Sequence, residues 1–329
     1  MKTWAFTKGL HDIGNGAYAY LQPDGTWGWS NAGLLVDGDA TLLVDTLFDL
    51  RITADMLATM RAAVPAAKTI DTLVNTHGNP DHVFGNELVA GATIIASAAA
   101  AAEIRAMNPQ RMQSMETNWE NLGDAGWFYH DTMGPKFDFS NITVTPPTQT
   151  FDKRLDLRVG TKDVQLFNVG PAHTAGDTIV YVPGDRLVFT GDILFNNGHP
   201  IVWAGPVANW IAACDLLMGL DVDVVVPGHG PITDRSAVLE LKAYLEYISV
   251  EARRHFDVGL TYEAAARKID LSAFRTWSDA ERIVANVATL YREFRGQDAR
   301  PEGPELFAAM GRYRKERHSH AGSSRIARQ

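Results

Sequence analysis

The chain has 329 residues, 46% of them hydrophobic and 21% charged, the profile of a globular protein long enough for one large domain or two medium ones. A net charge of -9 argues against nucleic acid as a partner, and the single cysteine, Cys214, excludes an intrachain disulfide and a cysteine-built zinc ribbon. The N-terminus lacks an apolar signal segment, and no apolar run approaches the roughly 20 residues that span a bilayer, so a cytoplasmic protein without a membrane partner is expected.

In chain order, residues 17–21, 30–36 and 40–45 are short apolar runs split by Asp-Gly turns, the pattern of a meander. A helix is expected over 52–64, with Leu57, Met60 and Ala63 near one face and Pro65 just beyond it. Residues 70–74 read as a buried strand, a helix opens at Asp81, and a strand at 92–96 precedes an Ala-rich helix to about Met107. From 108 to 140 the pattern loosens around Trp119, Trp127, Phe128, Tyr129 and Met133, and it reads as a long irregular segment, either a lid or a cover for the core. Strands resume at 142–144, 155–159, 164–169, 178–182 and 186–190, followed by a helix over 206–220 and a strand over 222–226. Helices are expected over 234–255 and 261–269, and a last one is opened by Ser278-Asp-Ala-Glu281, which fits a capping box. The tail from Gly311 sets Arg312, Arg314, Lys315, Arg317, Arg325 and Arg328 against Glu316 alone and reads as a frayed, solvated terminus.

The chemistry concentrates in Thr76-His-Gly-Asn-Pro-Asp-His82, directly after the 70–74 strand. Two imidazoles, a carboxylate and a carboxamide within seven residues are ligand types that suit zinc and related divalent metals. Three more candidates follow apolar strands in Gly-containing turns: His173 in Gly170-Pro-Ala-His-Thr-Ala-Gly176, Asp192 in Thr190-Gly-Asp, and His229 in Pro227-Gly-His-Gly230. A lone histidine at a strand end is more often a hydrogen-bonded structural residue. Strand ends gathered on one sheet edge, however, make a natural site.

Thr76 to His82 resembles the His-x-His-x-Asp-His motif of the metallo-β-lactamase superfamily. Asp45 resembles that superfamily's first motif, and His173, Asp192 and His229 its third, fourth and fifth, in order and context. The resemblance covers about 31–231 and implies an α/β fold, an αββα sandwich of two mixed sheets with outer helices, with a metal site at one edge. It implies a first metal site of His77, Asn79 and His173, a second of Asp81, His82 and His229, and Asp192 bridging them. Two zinc ions per chain are implied, with iron or manganese as alternatives. A hydroxide held between the metals would attack the substrate, with Asp81 and Asp192 as catalytic residues. Asn79 stands where the family has histidine. A carboxamide oxygen is a poorer zinc donor than imidazole, so the first site is expected to be weaker, and one-metal or impaired forms stay open.

The expected organisation is a metallo-β-lactamase-like domain over 1–233, a helical C-terminal extension over 234–311 packed on it, and a disordered basic tail over 312–329. The expected function is a metal-dependent hydrolase of an ester, thioester, lactone or amide bond in a small molecule. The alternatives are an iron-dependent oxidoreductase on the same fold, persulfide dioxygenase-like, or a catalytically impaired metal-binding homologue. His199, Trp203 and Trp127 are candidate substrate-pocket residues, although a loop histidine and tryptophans have ordinary structural uses. The expected partner is a small-molecule substrate, and homo-oligomer formation stays open.

Overall fold

The computed structural model describes residues 4–89, 91–296 and 303–326, with side chains as far as 318. Strands β1 (Gly9–Gly14), β2 (Ala17–Leu21), β3 (Ala32–Asp37), β4 (Ala40–Val44), β5 (Thr72–Val74), β6 (Thr93–Ser97) and β7 (Gln149–Phe151) form one sheet in sequence order. The first four run antiparallel and the last four parallel. The second sheet has the order β12 (Val224–Val226), β11 (Leu187–Phe189), β10 (Thr178–Val182), β9 (Lys162–Asn168), β8 (Arg154–Val159), antiparallel except for the β11–β12 pair.

Side-chain alternation builds the layers. Leu42 and Val44 of β4, Val74 of β5, Val164 and Leu166 of β9 and Val180 and Val182 of β10 join one core shared by the two sheets. Their neighbours Leu43, Leu73, Ile179 and Val188 point the other way, into the core beneath the helices. Strands buried on both faces read as continuous apolar runs, which is why β4, β5 and β10 are easy to find in the sequence.

The helices are α1 (Leu50–Ala63), α2 (Pro80–Val83), α3 (Ala98–Arg105), α4 (Pro109–Thr117), α5 (Gly123–Thr132), α6 (Val207–Gly219), α7 (Arg235–Asp257), α8 (Tyr262–Lys268), α9 (Arg282–Phe294) and α10 (Gly303–Ile326). Helix α1 starts at Asp49, whose carboxylate accepts from the Ile52 amide at 2.8 Å, and it turns Ile52, Met56, Leu57 and Met60 inward. After β12 the chain is helical. Helix α7 packs on α6, α9 on α7 and α8, and α10 on α5 and α9.

Four expectations are corrected. The 108–140 segment is largely helical: Asn108 caps α4 through the Arg111 amide with Pro109 in the first turn, and α5 carries Trp127, Phe128 and Tyr129. Its signal was weak because α4 is mostly polar and buries only Pro109. No strand forms over 142–144; the sheet edge is instead β7. The Ser278–Glu281 capping box does not form: Asp279 is left-handed at φ 57, the helix begins at Arg282, and Glu281 makes no capping bond. The basic tail is also helical as far as Ile326. Met310 and Tyr313 are buried, Arg312 reaches Glu263 at 2.9 Å, and Lys315 reaches Asp124 at 2.8 Å. Acids on α5 and α8 thus neutralise charges that look unpaired in the sequence. Arg328 and the other residues from 327 on lie outside the described residues.

Candidate metal centre

The candidate ligands come from both sheets, each at a strand's exit. His77 and Asn79 follow β5, and Asp81 and His82 lie on α2 immediately beyond. His173 sits between β9 and β10, Asp192 on the single helical turn Gly191–Ile193 after β11, and His229 after β12. Gly228 lets the last two meet: a Cβ there would stand 2.0 Å from Asp192 Oδ1. Asn31 of the N-terminal meander braces the same turn, donating to Pro227 O at 3.0 Å and Gly230 O at 2.8 Å.

All four imidazole Nε2 atoms converge on the Asp192 carboxylate: His82 at 3.1 Å, His173 at 3.3 Å, His229 at 3.5 Å and His77 at 3.8 Å. Each Nδ1 is tied from behind. That of His82 meets Asp45 Oδ2 at 2.9 Å, and that of His77 meets Thr76 Oγ1 at 2.9 Å, a hydroxyl itself 2.7 Å from Asp45. That of His173 meets Ile201 O at 2.6 Å, and that of His229 meets Gly25 O at 3.1 Å. A ring that donates from Nδ1 to an oxygen turns its Nε2 lone pair inward, as metal-ligating histidine does. Asp45 holds two of these contacts from a left-handed backbone, φ 61, at the end of β4.

The residues fit a cation on a second count. His77 Nε2 is buried without a hydrogen-bond partner, an arrangement costly for a polar atom with nothing to bind, and His82 Nε2 and Asp192 Oδ1, 3.1 Å apart, face each other without hydrogen-bond geometry. Two ligand clusters of mutually close atoms stand out among the described residues, His77–His82–Asp192 and Asp81–His82–His229. His173 lies outside both. Its Nε2 is 2.9 Å from the Asn79 amide nitrogen, so Asn79 caps the lone pair that a ligand would offer.

Electrostatics agree. Burial by itself would raise the Asp81 carboxyl, but His82 and His229 outweigh it and hold it at about 2. Against the lowering effect of burial, Asp192 and Asp81 push His229 up to about 9 and, with Asp45, His82 well above the usual imidazole value. Burial takes His173 down to about 4 and, with the charge of His82, His77 well below its usual value. As protein groups alone, two imidazoliums balance the carboxylates, and a divalent cation would displace those protons.

A cavity of about 580 Å³ opens on this cluster. Asn79, Asp81, His173, Asp192 and His229 form its floor, and Trp27, Phe48, Met112, Met133, Trp203 and Phe307 its apolar walls. Of the three expected pocket residues, Trp203 lines it. His199 does not: it is 1% exposed and caged by Tyr244, Phe274 and Trp277. Trp127 lies under the Lys315 ammonium at 4.4 Å, also outside the cavity. The structure adds Arg282, a buried guanidinium 4.4 Å from the Trp27 ring and 5.1 Å from that of Phe195, which stacks on His229. No local motif marks Arg282 or Phe307, since both reach the cavity only through packing of the C-terminal helices.

The family model described as the metallo-β-lactamase superfamily matches residues 25–229, more than half of the chain. The chain belongs to the metallo-β-lactamase superfamily. It is 24% identical over 263 residues to a linear primary-alkylsulfatase of Pseudomonas sp., covering 71% of this chain and 48% of the relative. It is 25% identical over 200 residues to the alpha subunit of a 2,4-dinitroanisole O-demethylase of Nocardioides sp., covering 60% and 51%. The chain thus spans about half the length of these curated relatives. Among solved structures, a stereoselective inverting sec-alkylsulfatase from Pseudomonas sp. superposes with a TM-score of 0.65 at 16% identity, over 90% of this chain and 52% of that one. A metallo-β-lactamase from Pontibacter korlensis gives a TM-score of 0.54 at 19% identity, over 72% and 98%. These likenesses establish the αββα sandwich with its C-terminal helices, and the chain is an enzyme of this hydrolase-like fold. Among the described residues no helix is long and apolar enough to cross a membrane.

Proposed function

We propose that this protein is a zinc-dependent hydrolase that cleaves an ester bond, sulfate esters included, in a small molecule with an apolar or aromatic body. The observation that carries this reading is the convergence of four Nδ1-anchored imidazoles on Asp192. Imidazole with carboxylate is a donor set that suits zinc. Asp81, His82 and His229 with Asp192 would hold one ion tightly. His77, His173 and Asp192 would hold a second more weakly, with Asn79 as the poor donor. Ions bound there supply Lewis acidity and a water of lowered pKa.

The chain's own groups do the rest. Asp81 is the most exposed of the His and Asp candidates on the cavity floor, its side chain 13% exposed, and its Oδ2 would orient a water or carry a proton there. Asp192 keeps both carboxylate oxygens among the imidazoles and fixes the spacing of the two halves of the site. The aromatic and methionine walls exclude water and seat a hydrocarbon or ring substituent. The alkylsulfatase name of a curated relative adds sulfate esters to the carboxylic ester, thioester, lactone and amide substrates the ligand set allows.

Metal analysis together with a panel of alkyl sulfates, carboxylic esters, thioesters, lactones and β-lactams tests this. The expected result is zinc-dependent turnover of an apolar ester that Asp192→Ala abolishes. Full turnover in Asp192→Ala removes the mechanism.

A further inference from the structure

We propose that α9 of the C-terminal extension is a positioning element of the metal centre, and that Asn286 fixes His173 through the backbone of Ile201. This rests on His173 being a ligand, as proposed above. Helix α9 turns one polar seam, Arg282, Asn286, Thr289 and Glu293, toward the segment 199–207 that runs past the site. The spacing of four, three and four residues keeps these side chains on one helix face.

The Asn286 carboxamide is fully buried and brackets Ile201 from both sides. Its Oδ1 accepts from the Val202 amide at 2.8 Å, and its Nδ2 donates to Pro200 O at 2.9 Å. Between these two bonds the Ile201 carbonyl points the other way and accepts from His173 Nδ1 at 2.6 Å. Around that clamp, Arg282 donates to His199 O at 2.9 Å, Thr289 donates to Val202 O at 2.8 Å, and Arg292 donates to Ala204 O. The segment returns the contact to His173: the amides of Trp203 and Ala204 each donate to its carbonyl at 3.0 Å. His173 is therefore seated by a strip of backbone whose shape is set by a helix more than a hundred residues later in the chain.

An irregular segment has no ladder of its own to hold a carbonyl in place. One buried amide that satisfies the N–H and C=O on either side does so. The effect falls on His173, whose Nε2 already meets Asn79, so the weaker half of the site depends most on this support.

Zinc binding to Asn286→Ala, Asn286→Asp and Tyr244→Phe, together with the absorption spectrum of the cobalt-loaded proteins, tests the proposal. Asn286→Ala loses both bonds of the clamp. Asn286→Asp keeps the acceptor for Val202 and loses the donor to Pro200, and it carries the test if Asn286→Ala does not fold. Tyr244→Phe removes only the third Asn286 contact, the one to the Tyr244 hydroxyl at 3.2 Å, and serves as the packing control. In the folded Asn286 variants the weaker ion should bind about tenfold to a hundredfold less tightly, as removal of a ligand's hydrogen-bonding support does, with its cobalt spectrum altered. The tighter ion and Tyr244→Phe should match the parent. Unchanged binding of both ions in the Asn286 variants, or equal weakening in Tyr244→Phe, overturns the proposal. A parent protein that binds no metal overturns the ligand reading instead.

Discussion

Asn79 is the residue at which this chain departs from the His-x-His-x-Asp-His motif it resembles, and its environment sharpens the consequence. Its amide nitrogen faces His173 Nε2 at 2.9 Å, so the residue withholds one ligand besides being a poor one itself. Asn79→His should therefore tighten binding of the second zinc, read as metal per chain after dialysis at limiting zinc; an unchanged stoichiometry and affinity would refute it. His199 offers a separate test away from the ligands. Burial, then the nearby Arg282 charge, lowers its pKa to about 3, against an unfolded value of about 6.5. The unfolded chain takes up that proton first, so stability present above about pH 6.5 is lost as the pH falls toward 3. For one such group the loss is about 2 kcal/mol between pH 8 and pH 5. His199→Phe, which keeps a ring in the cage of Tyr244 and Trp277, should lose less stability than the parent over that range in chemical denaturation. Parallel curves would show that His199 is not buried neutral.

At the scale of elements, α10 pins the cavity wall. Arg314 donates to Asp131 of α5 at 2.8 Å and to Glu281, which precedes α9, at 2.9 Å. Glu281 also accepts from the Trp27 indole at 2.9 Å, and Phe307 of the same helix stands in the cavity beside Trp203. Removing Arg314 leaves a buried carboxylate short of its partner, a change that costs about 1–3 kcal/mol. Arg314→Met should lower Tm and shift the fluorescence of Trp27, while zinc content stays at the parental level. Loss of zinc in the folded variant would contradict this division of labour between α10 and α9. The same logic explains what was hard to see in the sequence. Central strands of the sandwich such as β4, β5 and β10 are apolar on both faces and stand out, whereas α4 and α10 carry mostly polar or charged surfaces whose partners lie far along the chain.

At the scale of the whole molecule, the candidate ligands bring the two sheets together. His77, Asp81 and His82 follow the end of β5 in one sheet, and His173, Asp192 and His229 follow strand ends of the other. A cation bound between them stabilises only the folded chain. Chelation should lower Tm and zinc should restore it, with Asp192→Ala indifferent to both; a parent Tm insensitive to chelator would argue against a resident metal.

Strands and helices in alternation were legible from local patterns, the αββα sandwich from the resemblance of the motifs, and the six His and Asp candidates that the structure gathers at one site from residue type and position at strand ends, because those signals are local. Neither His199 nor Trp127 reaches the cavity, while Arg282, Phe307 and Asn286 have no local signature at all. Whether a ring faces solvent, core or site depends on which distant helix packs over it, and that is decided by side-chain complementarity across the fold. The sequence by itself determined which candidate donors are present and that a carboxamide, Asn79, stands among them. Only the tertiary structure decided that Ile201 and Gly25, with Asp45 and Thr76, face the Nδ1 atoms of those histidines, since two of the four partners are backbone carbonyls, which every residue carries.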